Sequence, residues 1–294
     1  MQMIRGSISI FFIIVLITLG AILLAGGVFP KPPGLTSPAR EAIPDTSITP
    51  PQEKKSLQLE TFPFKECASI AVVDFLVDNS GSMEFGQKMP ELKKGMSTFS
   101  SSYPDSGIIG LQIYSSPEGR PPLGYRELVP ISLYKDVKSQ FKSSIESMTP
   151  VGGTHSKDAM NFVKQKLLEA GQKFSNYRFN LIFISDGIPE TRATNEACPG
   201  GINGPICGQS PNRPPGECRC FAEEQDPTQV AAEIKNAGVR IFTIAYVDTS
   251  DAKFNDRLQN LMKNVASTPS DYYQAPVESQ LTIILSQISQ KLCK

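Results

Sequence analysis

Three short stretches of the chain carry oxygen donors at spacings that suit a hard cation. The first is Asp78-Asn-Ser-Gly-Ser-Met83, in which Asp78, Ser80 and Ser82 stand at alternate positions of a polar turn. An ion such as Mg²⁺ takes oxygen ligands in near-octahedral geometry at ~2.0–2.1 Å and keeps several waters, so hydroxyls with a carboxylate meet its needs. Alone, Asp-x-Ser-x-Ser is also the composition of an ordinary turn or helix cap. Two further stretches raise its meaning. Pro150-Val-Gly-Gly-Thr-His155 precedes a helical pattern and offers Thr154, and Ile184-Ser-Asp-Gly187 closes an apolar run and offers Asp186. The candidate metal ligands are therefore Asp78, Ser80, Ser82, Thr154 and Asp186. The expected cofactor is a divalent cation, Mg²⁺ first, with Mn²⁺ or Ca²⁺ as alternatives.

An α/β architecture would bring these stretches together. Ser69 to Val77, Ile108 to Tyr114, Arg178 to Ser185 and Val239 to Val247 are continuous apolar runs, as strands covered on both faces require. Glu127 to Leu133 reads as a short edge strand and Asp271 to Gln274 as another short strand. Helices are expected over about Pro90 to Ser101, Lys135 to Met148, Ser156 to Ala170, Pro227 to Ala237, Ala252 to Val265 and Glu278 to Cys293. Val137, Phe141, Ile145 and Met148 keep helical spacing in the second, and Gly238 is the expected stop of the fourth. The fold expected is a doubly wound, mostly parallel sheet with helices on both faces. In such open sheets ligands collect outside the carboxyl ends of the strands, where all three donor stretches fall. Ile188 to Asp226 breaks the pattern: it is rich in Gly, Pro, Asn and Cys and far exceeds the ~2–6 residues of an ordinary strand-to-helix connection. It reads as an insertion beside the site.

In order and position, the Asp-x-Ser-x-Ser, Thr and Asp elements resemble the metal-ion-dependent adhesion site of von Willebrand factor A domains. The resemblance covers about Cys67 to Lys294. It implies one antiparallel edge strand in the sheet, direct metal contacts from Ser80, Ser82 and Thr154, and contacts from Asp78 and Asp186 made directly or through water. It also implies an open coordination position that an acidic side chain of a protein partner fills. Three neutral hydroxyls inside two carboxylates would leave the cation electron-poor and attractive to that acid.

The bulk numbers bound the partner. With 29 basic and 29 acidic residues in 294, no net field recommends nucleic acid or an anionic membrane surface. A membrane contact is expected by another route. Residues 8–29 are uncharged and apolar, long enough at ~1.5 Å per residue to cross a ~30 Å hydrocarbon core. This is longer than the ~7–15 apolar residues of a cleaved signal peptide, so it reads as an uncleaved signal-anchor. Arg5 on its amino-terminal flank places the remainder extracytoplasmic, against the weaker opposing charge of Lys31. Prolines crowd residues 30–64 into an extended stalk, and residues 65–294 form the domain. The expected localisation is a single-pass membrane protein.

Six cysteines suit disulfides in an oxidising compartment. Cys67 and Cys293 flank the domain and are expected to pair, since domain termini often lie close together. Cys198, Cys207, Cys218 and Cys220 lack the two close pairs of a structural zinc site, so two disulfides are expected within the insertion, joining Cys198 and Cys207 to Cys218 and Cys220 in either pairing. His155, the single histidine, reads as a residue at a helix start rather than a ligand. The function these features favour is a non-enzymatic adhesion or binding module. An envelope or pilus-assembly role is the alternative. A metal-dependent phosphohydrolase with Asp78 as nucleophile fits less well, because its usual second acid two residues on is here Ser80 and no histidine is placed as a base. A non-reduced peptide map of the chain should contain a Cys67–Cys293 linked peptide; its absence would remove the expected closure of the domain.

Overall fold

Ala71–Asp78 is strand β1, and all eight residues are buried. A strand covered by helices on both faces has no solvent side, so only Asp74 and Asp78 interrupt its apolar sequence. The computed structural model describes residues 70–116, 124–191, 207–209, 218–247, 252–275 and 280–292, all within the unit Leu57–Lys294. The expected span at residues 8–29, the stalk, Cys67, Cys198 and Cys293 lie outside them. Among the described residues no helix is long and apolar enough to cross a membrane.

The strands that follow are β2 (Ile108–Tyr114), β3 (Arg126–Leu133), β4 (Arg178–Ser185), β5 (Glu190–Thr191), β6 (Cys207–Gln209), β7 (Cys218–Phe221), β8 (Arg240–Tyr246) and β9 (Tyr272–Ala275). Six of them make the central sheet in the order β3-β2-β1-β4-β8-β9. Its pairings are parallel except that of β3 with β2. Pro130 lies within β3 and cannot donate to a ladder, which an edge strand tolerates.

The helices are α1 (Lys88–Ser102), α2 (Tyr134–Ser147), α3 (Ser156–Lys173), α4 (Thr228–Asn236), α5 (Ala252–Val265) and α6 (Leu281–Ser289). Helices α1, α2 and α6 pack on the sheet face that presents Val73, Phe75 and Val77. Helices α3, α4 and α5 pack on the face that presents Val72 and Leu76. Gly238 follows α4 with φ 87°, the left-handed stop its sequence position implies. The last helix is shorter than expected. After Ser289 it gives way to a tighter turn in which the Lys291 amide donates to the Ile288 carbonyl, so buried Leu292 keeps its apolar role outside the helix.

The insertion is also more regular than its composition implies. It carries a second, antiparallel sheet in the order β5-β7-β6, and a Cys207–Cys220 disulfide joins the residues that face each other across β6 and β7. Strands of two to four residues leave no periodicity to read.

Asp74 is the anomaly of the core. Its side chain is fully enclosed, Oδ1 accepts a hydrogen bond from Gln112 Nε2 at 3.3 Å, and Oδ2 has no partner. Gly110 makes room for it: a Cβ there would stand 2.4 Å from Asp74 Oδ1. Burial, and to a lesser degree the charge of Glu127, push the Asp74 carboxyl up to about 8, against a lowering by the Gln112 hydrogen bond. The folded protein thus favours the protonated acid. Its stabilising contribution is complete below the ordinary value of 3.8 and is lost as pH rises through about 8. Asp74→Asn keeps the shape without the charge. It should raise the unfolding free energy at pH 8 by several kcal/mol, on the order of 3–5, with the gain vanishing toward pH 4 in urea titrations.

Candidate functional site

The sheet order reverses direction at β1, which lies between β2 and β4, so the loops leaving these strands diverge and leave a crevice at their carboxyl ends. Asp78 is the last residue of β1, and Asp186 immediately follows β4. The loop before α3 closes over them through backbone hydrogen bonds. The Gly81 amide donates to the Gly152 carbonyl at 2.9 Å, and the Val151 amide to the Asn79 carbonyl at 2.7 Å. The Ser116 and Gly153 segments pair as well, with the Gly153 amide also donating to Ser116 Oγ at 2.9 Å. These contacts bring Thr154 to the Asp-x-Ser-x-Ser turn.

Within the crevice the side chains form one connected array. Ser80 Oγ and Ser82 Oγ are 3.0 Å apart, and Ser82 Oγ donates to Asp186 Oδ1 at 2.7 Å. Asp78 lies deeper, with no exposure, and receives three donors: the Ser80 amide on Oδ1 at 2.8 Å, and Ser185 Oγ and Tyr114 OH on Oδ2 at 2.6 and 3.2 Å. Burial first, then the Asp186 carboxylate, pushes the Asp78 carboxyl up to about 7, while hydrogen bonds from Ser185 and Ser80 pull it down. Burial, with the charge of Asp78 beside it, raises the Tyr114 phenol well above its ordinary value, so Tyr114 acts as a donor. Two acids share this crevice, which is an arrangement that positive charge stabilises.

The donor chemistry fits a hard cation. Thr154 Oγ1 is buried without any hydrogen-bond partner, an orphan of the kind that a native site seldom leaves unexplained. Among the described residues no three His, Cys, Asp or Glu side chains gather at one point, so hydroxyls supply the majority of the donors. His155 precedes α3, makes no side-chain cap, and holds Nδ1 4.0 Å from Asp158 Oδ2, apart from the array.

The residues that sequence reading missed are Tyr114, Ser185 and Lys88. Tyr114 reaches Asp78 because the β1–β2 register sets the two opposite each other. Ser185 stands within the Ile184-Ser-Asp186 stretch and could have been suspected, since it is the last residue of an apolar run that ends at the ligand edge of the sheet. Lys88 places Nζ 2.6 Å from Asp186 Oδ2 and 3.4 Å from the Ser82 carbonyl. The insertion joins the site at its base: the Glu190 amide donates to the Thr154 carbonyl at 3.1 Å.

The fold is an α/β domain with its crevice at the carboxyl edge of a mostly parallel sheet. Residues 73–188 match the von Willebrand factor type A domain family. Among solved structures, the pilus adhesin SpaC from Lactobacillus rhamnosus GG is 18% identical with a TM-score of 0.56, over 76% of this chain and 31% of that one. The vWF domain of the type V pili tip protein Mfa5 from Porphyromonas gingivalis is 15% identical, with a TM-score of 0.50, over 76% and 96%. Proximal thread matrix protein 1 from the mussel byssus, in a structure with a zinc-occupied MIDAS motif, is 15% identical, with a TM-score of 0.51, over 76% and 48%. The chain thus spans less than half of SpaC and of the mussel protein. At these identities the likeness is one of fold. Among curated proteins, none matches the chain in sequence.

Ser185→Ala removes the shortest donor to a fully buried carboxyl. Urea denaturation should show a loss of about 1–3 kcal/mol, and an unchanged midpoint would contradict the role given to this hydroxyl.

Proposed function

We propose that this chain is a membrane-tethered, extracytoplasmic binding protein that captures a protein ligand through a divalent cation held by Asp78, Ser80, Ser82, Thr154 and Asp186. The observation that carries the reading is the array itself: a buried Asp78, the linked hydroxyls of Ser80 and Ser82, a second carboxylate at Asp186, and an unpartnered Thr154 hydroxyl. A bound cation would supply a Lewis-acidic position for a carboxylate of the ligand, with Mg²⁺ the ion best matched to all-oxygen donors. The chain's own groups do the rest. Ser185, Tyr114 and the Ser80 amide hold Asp78 in one orientation, and the Ser82 hydroxyl orients Asp186. The insertion, anchored to the Thr154 carbonyl and stapled by Cys207–Cys220, lies where it could select among ligands.

That disulfide supports an oxidising compartment, and with it residues 8–29 as the span and residues 30–64 as the stalk. The fold likeness to pilus adhesins and to a byssus matrix protein supports adhesion, and also keeps an envelope or pilus-assembly role as the second reading. Hydrolytic chemistry at Asp78 is disfavoured by geometry. The carboxyl is enclosed and both oxygens already accept hydrogen bonds, which leaves it poorly placed for in-line attack.

A pull-down with residues 65–294 tests the reading. Ligand capture should require Mg²⁺, disappear with EDTA and be absent in Asp78→Ala, while no phosphate is released from an aryl phosphate. Capture that persists in EDTA and in the variant would overturn it.

A further inference from the structure

Lys88 stands where local rules disfavour a lysine. It is the first residue of α1, and a cation in the first turn opposes the helix dipole. The chain reaches it through two consecutive left-handed residues, Gly86 at φ 65° and Gln87 at φ 63°. Glycine adopts that conformation freely, but glutamine does so only under constraint, and Gln87 is the one non-glycine residue with positive φ among the described residues. Strain and an unfavourable charge at adjacent positions mark a residue held for a purpose other than helix stability.

The purpose is visible at the other end of the side chain. The Lys88 side chain is only 12% exposed, the Asp186 side chain is 0% exposed, and Nζ meets Oδ2 at 2.6 Å. Asp186 Oδ1 is occupied by the Ser82 hydroxyl, so both oxygens of this carboxylate are engaged from within the chain. The ammonium also leans on the Ser82 carbonyl at 3.4 Å, which ties it to the turn that carries two of the hydroxyl donors.

We propose that Lys88 is a built-in competitor for the divalent cation: its ammonium neutralises Asp186 and thereby weakens metal binding to the Asp78, Ser80, Ser82, Thr154 and Asp186 site. This rests on the metal reading of that site. Two carboxylates facing an ion of charge two would hold it tightly and cancel its charge. With Asp186 already paired to an ammonium, one uncompensated carboxylate remains, and like-charge repulsion between ammonium and metal opposes occupancy. The consequence is a site that fills only when divalent cation is abundant. Lysine suits this role because its ammonium is a compact charge on a flexible stem, able to move aside without dismantling the loop.

Mn²⁺ binding to the full chain, read from the free-ion electron paramagnetic resonance signal, tests this directly. Lys88→Met should bind Mn²⁺ at least tenfold more tightly than the parent, and Lys88→Arg, which keeps the charge, should stay within about threefold of it. Without metal, Lys88→Met should melt at a lower temperature than the parent and gain more from added Mn²⁺. Should Lys88→Met not fold, Lys88→Gln is held to the same tenfold criterion. Equal or weaker binding in the uncharged variant, with binding still lost in Asp78→Ala, would overturn the competitor role and leave the metal reading intact. No binding in the parent or in any Lys88 variant would overturn both.

Discussion

The candidate site depends on one buried carboxyl. Asp78 ends a strand that is enclosed on both faces, and burial of that kind is tolerated only when donors surround the charge or the acid keeps its proton. The Ser80 amide, the Ser185 hydroxyl and the Tyr114 phenol are those donors, drawn from the turn after β1, the end of β4 and the end of β2. Each donor fixes a separate element to the same point. The loop that carries Thr154 is then bound to the turn by backbone hydrogen bonds, so the geometry of all five candidate ligands descends from the anchoring of Asp78. A helix-covered parallel sheet is what makes this anchoring rigid, because apolar packing from three helices on each face holds β1, β2 and β4 in register.

The two acids of the crevice then divide their tasks. Asp78 is deep, enclosed and satisfied by neutral donors, whereas Asp186 lies beside the serine hydroxyls and meets an ammonium. Neutral hydroxyls placed between two acids produce a polar but weakly charged cradle, suited to a hard cation that retains attraction for an outside carboxylate. In the binding function proposed for this chain, selectivity among ligands would come from surfaces beyond this cradle. The small β5-β7-β6 sheet adjoins it, joined to the Thr154 loop through Glu190.

Much of this was legible in the amino-acid sequence, because the signals are local. Apolar runs ending in Asp78 and Ser185 mark buried strands by length and composition, and an acid or hydroxyl at such an end points to the ligand edge of an open sheet. Gly238 marks the end of α4 for the same local reason. What stayed hidden depends on tertiary neighbours. Tyr114 is one aromatic residue among many until the β1–β2 register sets it opposite Asp78. Lys88 looks like a surface charge in an amphipathic helix until the turn after β1 folds it back onto Asp186. Asp74 sits unannounced in an apolar run, and only the void at Gly110 explains its accommodation. The insertion hid its sheet because a disulfide, not hydrophobic alternation, holds strands so short. The final helix ended early for a converse reason: its apolar spacing extends through Leu292, where burial continues after helical geometry has stopped.

Convergence of the hydroxyls of the turn after β1 and of the Thr154 loop on a divalent cation is tested most directly by anomalous diffraction from crystals grown with Mn²⁺. A single strong peak is expected at about 2 Å from Ser80 Oγ, Ser82 Oγ and Thr154 Oγ1, with Asp78 and Asp186 in contact directly or through water. A map with no peak in the crevice, or with manganese bound only at other surface carboxylates, would contradict it.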